Sequence, residues 1–318
     1  LQNVEVSRMH RRGVWLIESL QSQVRHCTFR DAVTGYGRDH GYGLLLDAQS
    51  TANLVEDNVF HAVDGGGMMT AGGAIGNVLA YNYLPDIRFD DPWWMIAGPV
   101  LNHAAHPSMN LWEGNIGPQI GGDFIHGSSS HQTVFRSYSA GCAEAATANN
   151  NAVDLQYKNR FMTVIGCVLG TPGRSDTYEQ AWPEARSNQA RTIWRLGYGG
   201  PGGAGETEVG DTLLRHGNWD AVTGATVWDP TLSERVLPPS LYLSAAPPWW
   251  GNLPWPPIGP DREPMVGPIP AQLRHEAAGP TAAPASPTPT HGAPTAAPPT
   301  PTADGPTPPG RQTPIAPG

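Results

Sequence analysis

The densest group of chemically reactive side chains in this sequence lies in GGDFIHGSSSH, residues 121–131. It carries Asp123, His126 and His131 around three consecutive serines at 128–130. Histidine can give or take a proton near neutral pH, and a nearby carboxylate can orient its ring or act as a general acid. We therefore take Asp123, His126 and His131 as candidate catalytic residues.

Two other interpretations of this segment stay open. Asp123 could simply satisfy a turn by accepting hydrogen bonds from the serine-rich loop. A Ser–His–Asp hydrolase is conceivable, but the serines at 128–130 lack the Gly-x-Ser-x-Gly context that exposes a nucleophilic serine, which disfavours it.

A long insertion at residues 85–108 carries a second group of such side chains. It contains His103 and His106, together with Trp93 and Trp94. Long loops in compact domains are commonly functional. The two indoles could form a stacking wall for sugar rings or cap a hydrophobic stack. Asp90–Asp91 could contribute to a calcium site, but calcium needs six or more oxygen ligands, so no metal ligands are assigned.

Apolar runs that recur along the chain indicate what positions these residues. They begin at residues 24, 54, 78, 111, 134 and 164, and a second strand-like run precedes each of them. Repeats of about 20–50 residues indicate a solenoid, and strands with loops of irregular length favour a parallel β-helix. Asn58, Asn82 and Asn115 each fall four residues past a run start, which predicts a stacked asparagine ladder.

Aligning the preceding runs by eye places polar residues in one column. The column contains Glu18, Asp47, Thr70, His103, His126 and Gln156. Neighbouring residues are mostly apolar, so the column is expected to face outward and to line a groove for a long ligand. His103 and His126 would lie in adjacent coils, about 5 Å apart, and could divide acid and base roles.

This column makes Asp47, Gln156 and the nearby Lys158 candidate substrate contacts, together with His106. The plainer alternative is a solvated polar face with two incidental histidines. A register error of one residue would turn the column inward.

The repeat, the asparagine column and the glycine-rich turns resemble the right-handed parallel β-helix of the pectin-lyase-like superfamily, over about residues 1–170. The resemblance implies an all-β solenoid. It leaves the function open among polysaccharide lyases, glycoside hydrolases, carbohydrate esterases, epimerases, tailspikes and adhesins. The chain lacks the paired-aspartate pattern of polygalacturonase-like hydrolases and the motifs of pectate lyases, which counts against pectin as the substrate.

Further candidates depend on the reaction. A hydrolase needs two carboxylates, for which Asp123 could pair with Asp154, Glu113 or Asp47. Trp112, beside Glu113, would then offer a binding surface. Lyases of the resembled fold often use lysine or arginine as the base with acidic calcium ligands, so calcium could be a cofactor.

Composition limits the classes of protein that fit. The 318 residues include 38 Gly and 33 Pro, only 15% are charged, and the net charge is −9. These values exclude a coiled coil or helical bundle, and no apolar run is long enough to span a membrane. The absence of a basic patch argues against nucleic acid as a partner, and the acidic chain favours a neutral polysaccharide over a polyanion.

Two regions are predicted. Residues 1–276 would form the β-helix domain, with a truncated N-terminus because the chain opens within a strand-like segment. Within this domain the aromatic, proline-rich run 237–261 is expected to wrap back along the stack and cover its end, and a platform for ligand is the alternative. Residues 277–318 are rich in Pro, Thr and Ala and read as a disordered linker to a further C-terminal module.

Two functions of different kinds follow from the sequence. The first is a secreted or cell-surface carbohydrate-active enzyme, a glycoside hydrolase or polysaccharide lyase, that cleaves a polysaccharide in a groove on the β-helix. The second is a non-catalytic carbohydrate-binding, adhesin or tailspike-like scaffold, in which the polar column only contacts ligand or solvent.

Overall fold

The computed structural model describes residues 1–33, 41–88, 98–143, 146–187, 189–200 and 203–279. All of these belong to the first of two units, Leu1–Thr281, and the second unit, Ala282–Gly318, lies outside the described residues. Trp93, Trp94 and Asp90–Asp91 also lie outside them.

Three sheets of stacked strands dominate the described part of the chain. Sheet 1 contains, in spatial order, Arg12–Ile17, Tyr42–Asp47, Met68–Thr70, Pro99–Asn102, Ile120–Gly122, Val153–Leu155, Thr192–Leu196 and Thr177–Ala181. Sheet 2 contains Gln23–Arg25, Leu54–Glu56, Val78–Ala80, Leu111–Glu113, Thr133–Phe135, Thr163–Ile165 and Leu214–His216. Sheet 3 contains Glu5–Ser7, Thr28–Arg30, Val59–Asp64, Tyr83–Arg88, Ile116–Gly117, Tyr138–Ser139, Val168–Leu169, Asn218–Asp220 and Thr226–Val227.

Neighbouring strands in these sheets are parallel, except that Thr226–Val227 is antiparallel to Asn218–Asp220. A small fourth sheet pairs Ser129–Ser130 with Asn159–Arg160. Helical turns occur at Glu208–Asp211, Pro248–Trp250 and Pro270–Ala278. Parallel strands stacked in several sheets are compatible with the predicted β-helix.

Each apolar run of the repeat is two short strands rather than one. A two-residue turn separates the strand in sheet 2 from the strand in sheet 3, and its first residue is left-handed, with φ of 53° at Asp57 and 54° at Tyr81. The second residue of the turn carries the predicted asparagine. The side-chain amide of Asn58 donates to Asn82 at 2.9 Å, and that of Asn82 donates to Asn115 at 3.0 Å, so the predicted column is present.

A second column of stacked amides precedes the strands of sheet 2. Asn53 donates to Asn77 at 2.9 Å, Asn77 donates to Asn110 at 2.8 Å, and Asn110 donates to Gln132 at 3.3 Å. All four side chains are buried. Because buried amides must find partners, the two columns fix the stacking of the coils, one before and one after the strands of sheet 2.

The register of sheet 1 differs from the alignment made by eye. Asp47 pairs with Ile17 rather than Glu18, and Thr70 pairs with Leu46. Thr70 is fully buried and donates to the carbonyl of Leu101. The predicted polar column is therefore wrong as a continuous outward row, because loops of unequal length and a bulge between Val100 and Asn102 change the register between coils.

The aromatic segment before the tail wraps back along the stack, as expected, but it contacts the side of the stack rather than its end. Its contacts reach residues at the ends of sheet 2 strands and in the turns that follow them, in successive coils: Glu56, Tyr81, Glu113 and Arg136. Buried charged groups need partners, and this segment supplies them along the side of the stack. We call residues 237–279 the strap.

Candidate functional site

Two predicted catalytic residues meet where adjacent strands of sheet 1 end. His103 follows Pro99–Asn102 directly, and Asp123 follows Ile120–Gly122. His103 Nδ1 lies 2.6 Å from Asp123 Oδ2, and the exposed fractions of the two side chains are 26% and 3%. A buried carboxylate at Nδ1 favours the tautomer with its proton on that atom and stabilises the imidazolium, as in acid–base catalysis by histidine.

Buried amides hold this pair in place. The other oxygen of Asp123 accepts a hydrogen bond from the Ile125 amide at 2.9 Å. The side chains of Asn102 and Asn159 donate to the Asp123 carbonyl at 2.8 and 2.9 Å. The chain therefore turns sharply after the strand, so that the Asp123 carboxylate stays inside while the residues that follow turn outward.

His126 completes the predicted pair of histidines. Its ring is exposed, lies 5.0 Å from the His103 ring between centroids and is perpendicular to it. The ring of Tyr42 lies 6.2 Å from that of His103. The two imidazoles are therefore close enough to contact one ligand together.

A pocket of about 400 Å³ is lined in part by residues that follow His103 and His126 closely in the sequence. Its lining includes His106, Ser128, Ser130, His131, Lys158 and Phe161. The small fourth sheet brings Ser130 level with Arg160, and His131 stacks on Phe161 with ring centroids 5.2 Å apart. The structure thus gathers three predicted site residues, His106, His131 and Lys158, in one pocket.

Two basic side chains, Lys158 and Arg160, line this pocket. Lys158 is exposed, and its ammonium lies 4.9 Å from the centre of the Tyr157 ring. Arg160 forms an ion pair with Glu206, which raises the pKa of the guanidinium. Among the described residues that line the pocket there is no carboxylate.

Two predicted site residues, Asp154 and Gln156, belong instead to a buried polar cluster. Asp154 accepts from Arg195 Nε at 2.8 Å and from Nη2 at 2.6 Å, and both side chains are fully buried. Gln156, also buried, donates to Asp154 at 2.8 Å. Neither Asp154 nor Gln156 is placed to touch a ligand on the outer face, which corrects both predictions.

Glu113 and Trp112 are likewise buried. The indole of Trp112 donates to Gln132 at 2.9 Å inside the stack, so it offers no binding surface. Glu113 accepts from the Tyr81 hydroxyl at 2.7 Å and from the Leu241 amide at 2.8 Å. Burial raises the pKa of the Glu113 carboxyl above its ordinary value, and the strap covers it.

Asp47 is partly exposed on sheet 1. It accepts from the indole of Trp15 at 3.1 Å and from the Ala48 amide at 2.8 Å. Trp15 is 46% exposed, with the Arg12 guanidinium 4.3 Å from its ring centre. Sequence reasoning missed Trp15, although its place in the alternating run VWLIES could have marked it as outward-facing.

Comparison of the chain with protein-family models, with curated proteins and with solved structures found no match. Across the described ranges, no group of three or more His, Cys, Asp or Glu side chains is arranged to hold a metal ion. The helices of the same ranges are too short or too polar to cross a membrane.

Proposed function

We propose that this protein is an extracellular carbohydrate-active enzyme that cleaves a polysaccharide lying across the outer face of sheet 1. We further propose that its stack belongs to the right-handed parallel β-helices of the pectin-lyase-like superfamily. The contact of His103 with the buried Asp123, beside the exposed His126, carries the proposal. Such a pair is built to transfer protons at a solvent-accessible surface.

Carboxylate positions favour elimination over hydrolysis. Hydrolysis by two carboxylates needs them about 5–10 Å apart. Asp154 and Glu113 are buried in other contacts. Asp47 lies three strands of sheet 1 from Asp123, which at about 4.8 Å per strand is roughly 14 Å.

Elimination needs a base and an acid, which two histidines can supply. His103, oriented by Asp123, would remove the proton from the carbon next to a uronate carboxylate. The electron pair left behind would form a carbon–carbon double bond and expel the glycosidic oxygen, which would take a proton from His126. Asp123 would stabilise the imidazolium that forms at His103.

The substrate class follows from this chemistry. A proton next to a carboxylate is removable only from an acidic sugar, so the proposed polymer contains uronic acid. The chain is acidic overall, with a net charge of −9, but the exposed Lys158 supplies positive charge in the adjacent pocket, whereas the charge of Arg160 is paired with Glu206. Within the described ranges no three His, Cys, Asp or Glu side chains are grouped to hold a metal ion, and the proposed elimination uses protein side chains alone.

Product masses test this proposal. The protein is incubated with a panel of neutral and uronate-containing polysaccharides, beside His103→Gln, His126→Gln and the exposed control His10→Gln. Products lighter by one water than hydrolytic fragments, lost in the first two variants only, are expected. Fragments at the hydrated mass would mean that the protein hydrolyses the polymer instead of eliminating. Binding of a polysaccharide without any products would favour the non-catalytic scaffold.

A further inference from the structure

Ser130 lies between two histidines that the proposed elimination does not use. Its Oγ is 2.9 Å from His106 Nε2 and 2.8 Å from His131 Nδ1. On the far side of the His106 ring, Nδ1 lies 2.9 Å from Ser128 Oγ. Thus two hydroxyls and two imidazoles form one connected row along the wall of the pocket.

Hydrogen-bond donors can be arranged along this row in one direction. A neutral imidazole has one donor and one acceptor nitrogen, and a hydroxyl has one donor. If His106 donates from Nδ1 to Ser128, its Nε2 accepts the proton of the Ser130 hydroxyl. The oxygen of Ser130 then accepts from Nδ1 of His131, and every contact is satisfied.

Local backbone structure aims Ser130 into the pocket. Ser129 and Ser130 form a strand, so their side chains point to opposite sides. Ser129 is buried and donates to the carbonyl of Pro107 at 2.7 Å. Ser128 and Ser130, on the other side, therefore line the open pocket with His106.

We propose that Ser130 is the nucleophile of an acyl-ester hydrolase site, whose substrate is an acyl group esterified to a sugar hydroxyl. A serine within hydrogen-bond reach of a base, which a third group orients in turn, is the arrangement that activates a nucleophile. His106 is the base, and Ser128 orients it. This activity is separate from cleavage of the polymer.

Acylation of the serine and hydrolysis of the acyl-serine need water as the only co-reactant. Ser130 Oγ bonds to the acyl carbon while its proton passes to His106 Nε2. The bond to the sugar oxygen then breaks, and that oxygen leaves with the proton from His106. Water attacks the acyl-serine with His106 again as the base, which releases the carboxylic acid and restores the serine.

The pocket suits a small acyl group and the charge that develops on it. Its volume of about 400 Å³ holds a short acyl chain beside a sugar ring. Phe161, stacked on His131, supplies an apolar surface. Lys158, which also lines the pocket, brings positive charge to the side of the site where a negative oxygen would form, and positive charge stabilises tetrahedral intermediates.

Covalent trapping tests the proposal on the full chain. The protein is treated with a fluorophosphonate, its intact mass is measured, and the modified peptide is mapped; hydrolysis of p-nitrophenyl acetate is followed in parallel. One adduct on Ser130 is expected. Ser130→Ala should abolish it, and His106→Gln should slow both reactions by about 100-fold or more, the usual effect of losing a general base.

Ser233→Ala is the matched control, because this serine is exposed and lies far along the chain from the pocket. It should react as the native protein does. An adduct on another residue, unchanged reaction of Ser130→Ala with native circular dichroism, or no reaction with either reagent would overturn the proposal. Polymer cleavage is scored separately: its absence would defeat the proposed elimination but not the serine site, because trapping needs no polymer.

Discussion

His103 Nδ1 and Asp123 Oδ2 lie 2.6 Å apart at the ends of two neighbouring strands of sheet 1. The carboxylate is almost completely buried, whereas the imidazole reaches solvent. The sequence places these residues 20 positions apart, and one coil of the stack closes that separation. The contact fixes the ring of the histidine that we propose as the base.

Replacing Asp123 with Asn should therefore impair polymer cleavage while the stack remains folded. Asparagine keeps the size of the side chain but cannot stabilise an imidazolium, so we expect the rate to fall by about 10²- to 10⁴-fold. Initial rates on the polysaccharide that the native protein cleaves would measure this. A rate within a factor of about three of native would argue that the pair is only structural.

The buried pair Asp154–Arg195 should matter for stability instead. Removing one partner leaves an uncompensated buried charge, which typically costs about 3–5 kcal/mol. Asp154→Leu and Arg195→Met should each lower the free energy of unfolding by about that amount. The double variant should recover much of the loss, and urea unfolding of all three beside the native protein measures the coupling.

The asparagine column shows what sequence could predict. Asn58, Asn82 and Asn115 share one offset from the start of an apolar run, and only a turn at which buried amides stack requires that residue type there. Spacing alone therefore located the turn between sheets 2 and 3. It could not show that Trp112 faces the interior, because an apolar residue beside a polar one suits either side of a strand.

The register of sheet 1 was harder to predict from the sequence, because its strands follow loops of unequal length. The second amide column would have given this register. Asn110 and Gln132 are neighbours in that column, and the residues two positions before them, Ser108 and Ser130, pair across adjacent coils. That register would have placed Ser130 near the insertion that carries His106. The contact itself depends on side-chain directions in the loops, which the sequence pattern does not encode.

Asn77 gives a direct test of the second amide column. Its amide donates to Asn110 and to the Ser50 carbonyl, and its oxygen accepts from the Asn53 side chain. Asn77→Ala would leave several buried polar groups without partners, at about 1–3 kcal/mol each. We expect the free energy of unfolding in urea to fall by at least about 2 kcal/mol, whereas Asn252→Ala, at an exposed position, should change it by less than about 0.5 kcal/mol.

The Glu113 carboxyl should make stability depend on pH. Burial raises its pKa in the folded state above the ordinary carboxyl value, although Tyr81 and the Leu241 amide donate to it. Between the ordinary and the raised pKa, the folded protein binds more protons than the unfolded chain, so the free energy of unfolding falls as pH rises. This contribution is fully present below the ordinary carboxyl pKa and is lost as pH rises through the raised one.

Glu113→Gln isolates this contribution, because glutamine keeps the shape of the side chain but does not titrate. Urea unfolding at a series of pH values, from below the ordinary carboxyl pKa to neutral, measures the slope for both proteins. The native protein should lose stability relative to Glu113→Gln as pH rises across this window. A constant difference between the two curves would mean that the buried carboxyl titrates as it does in the unfolded chain, and that the strap does not hold it in a desolvated site.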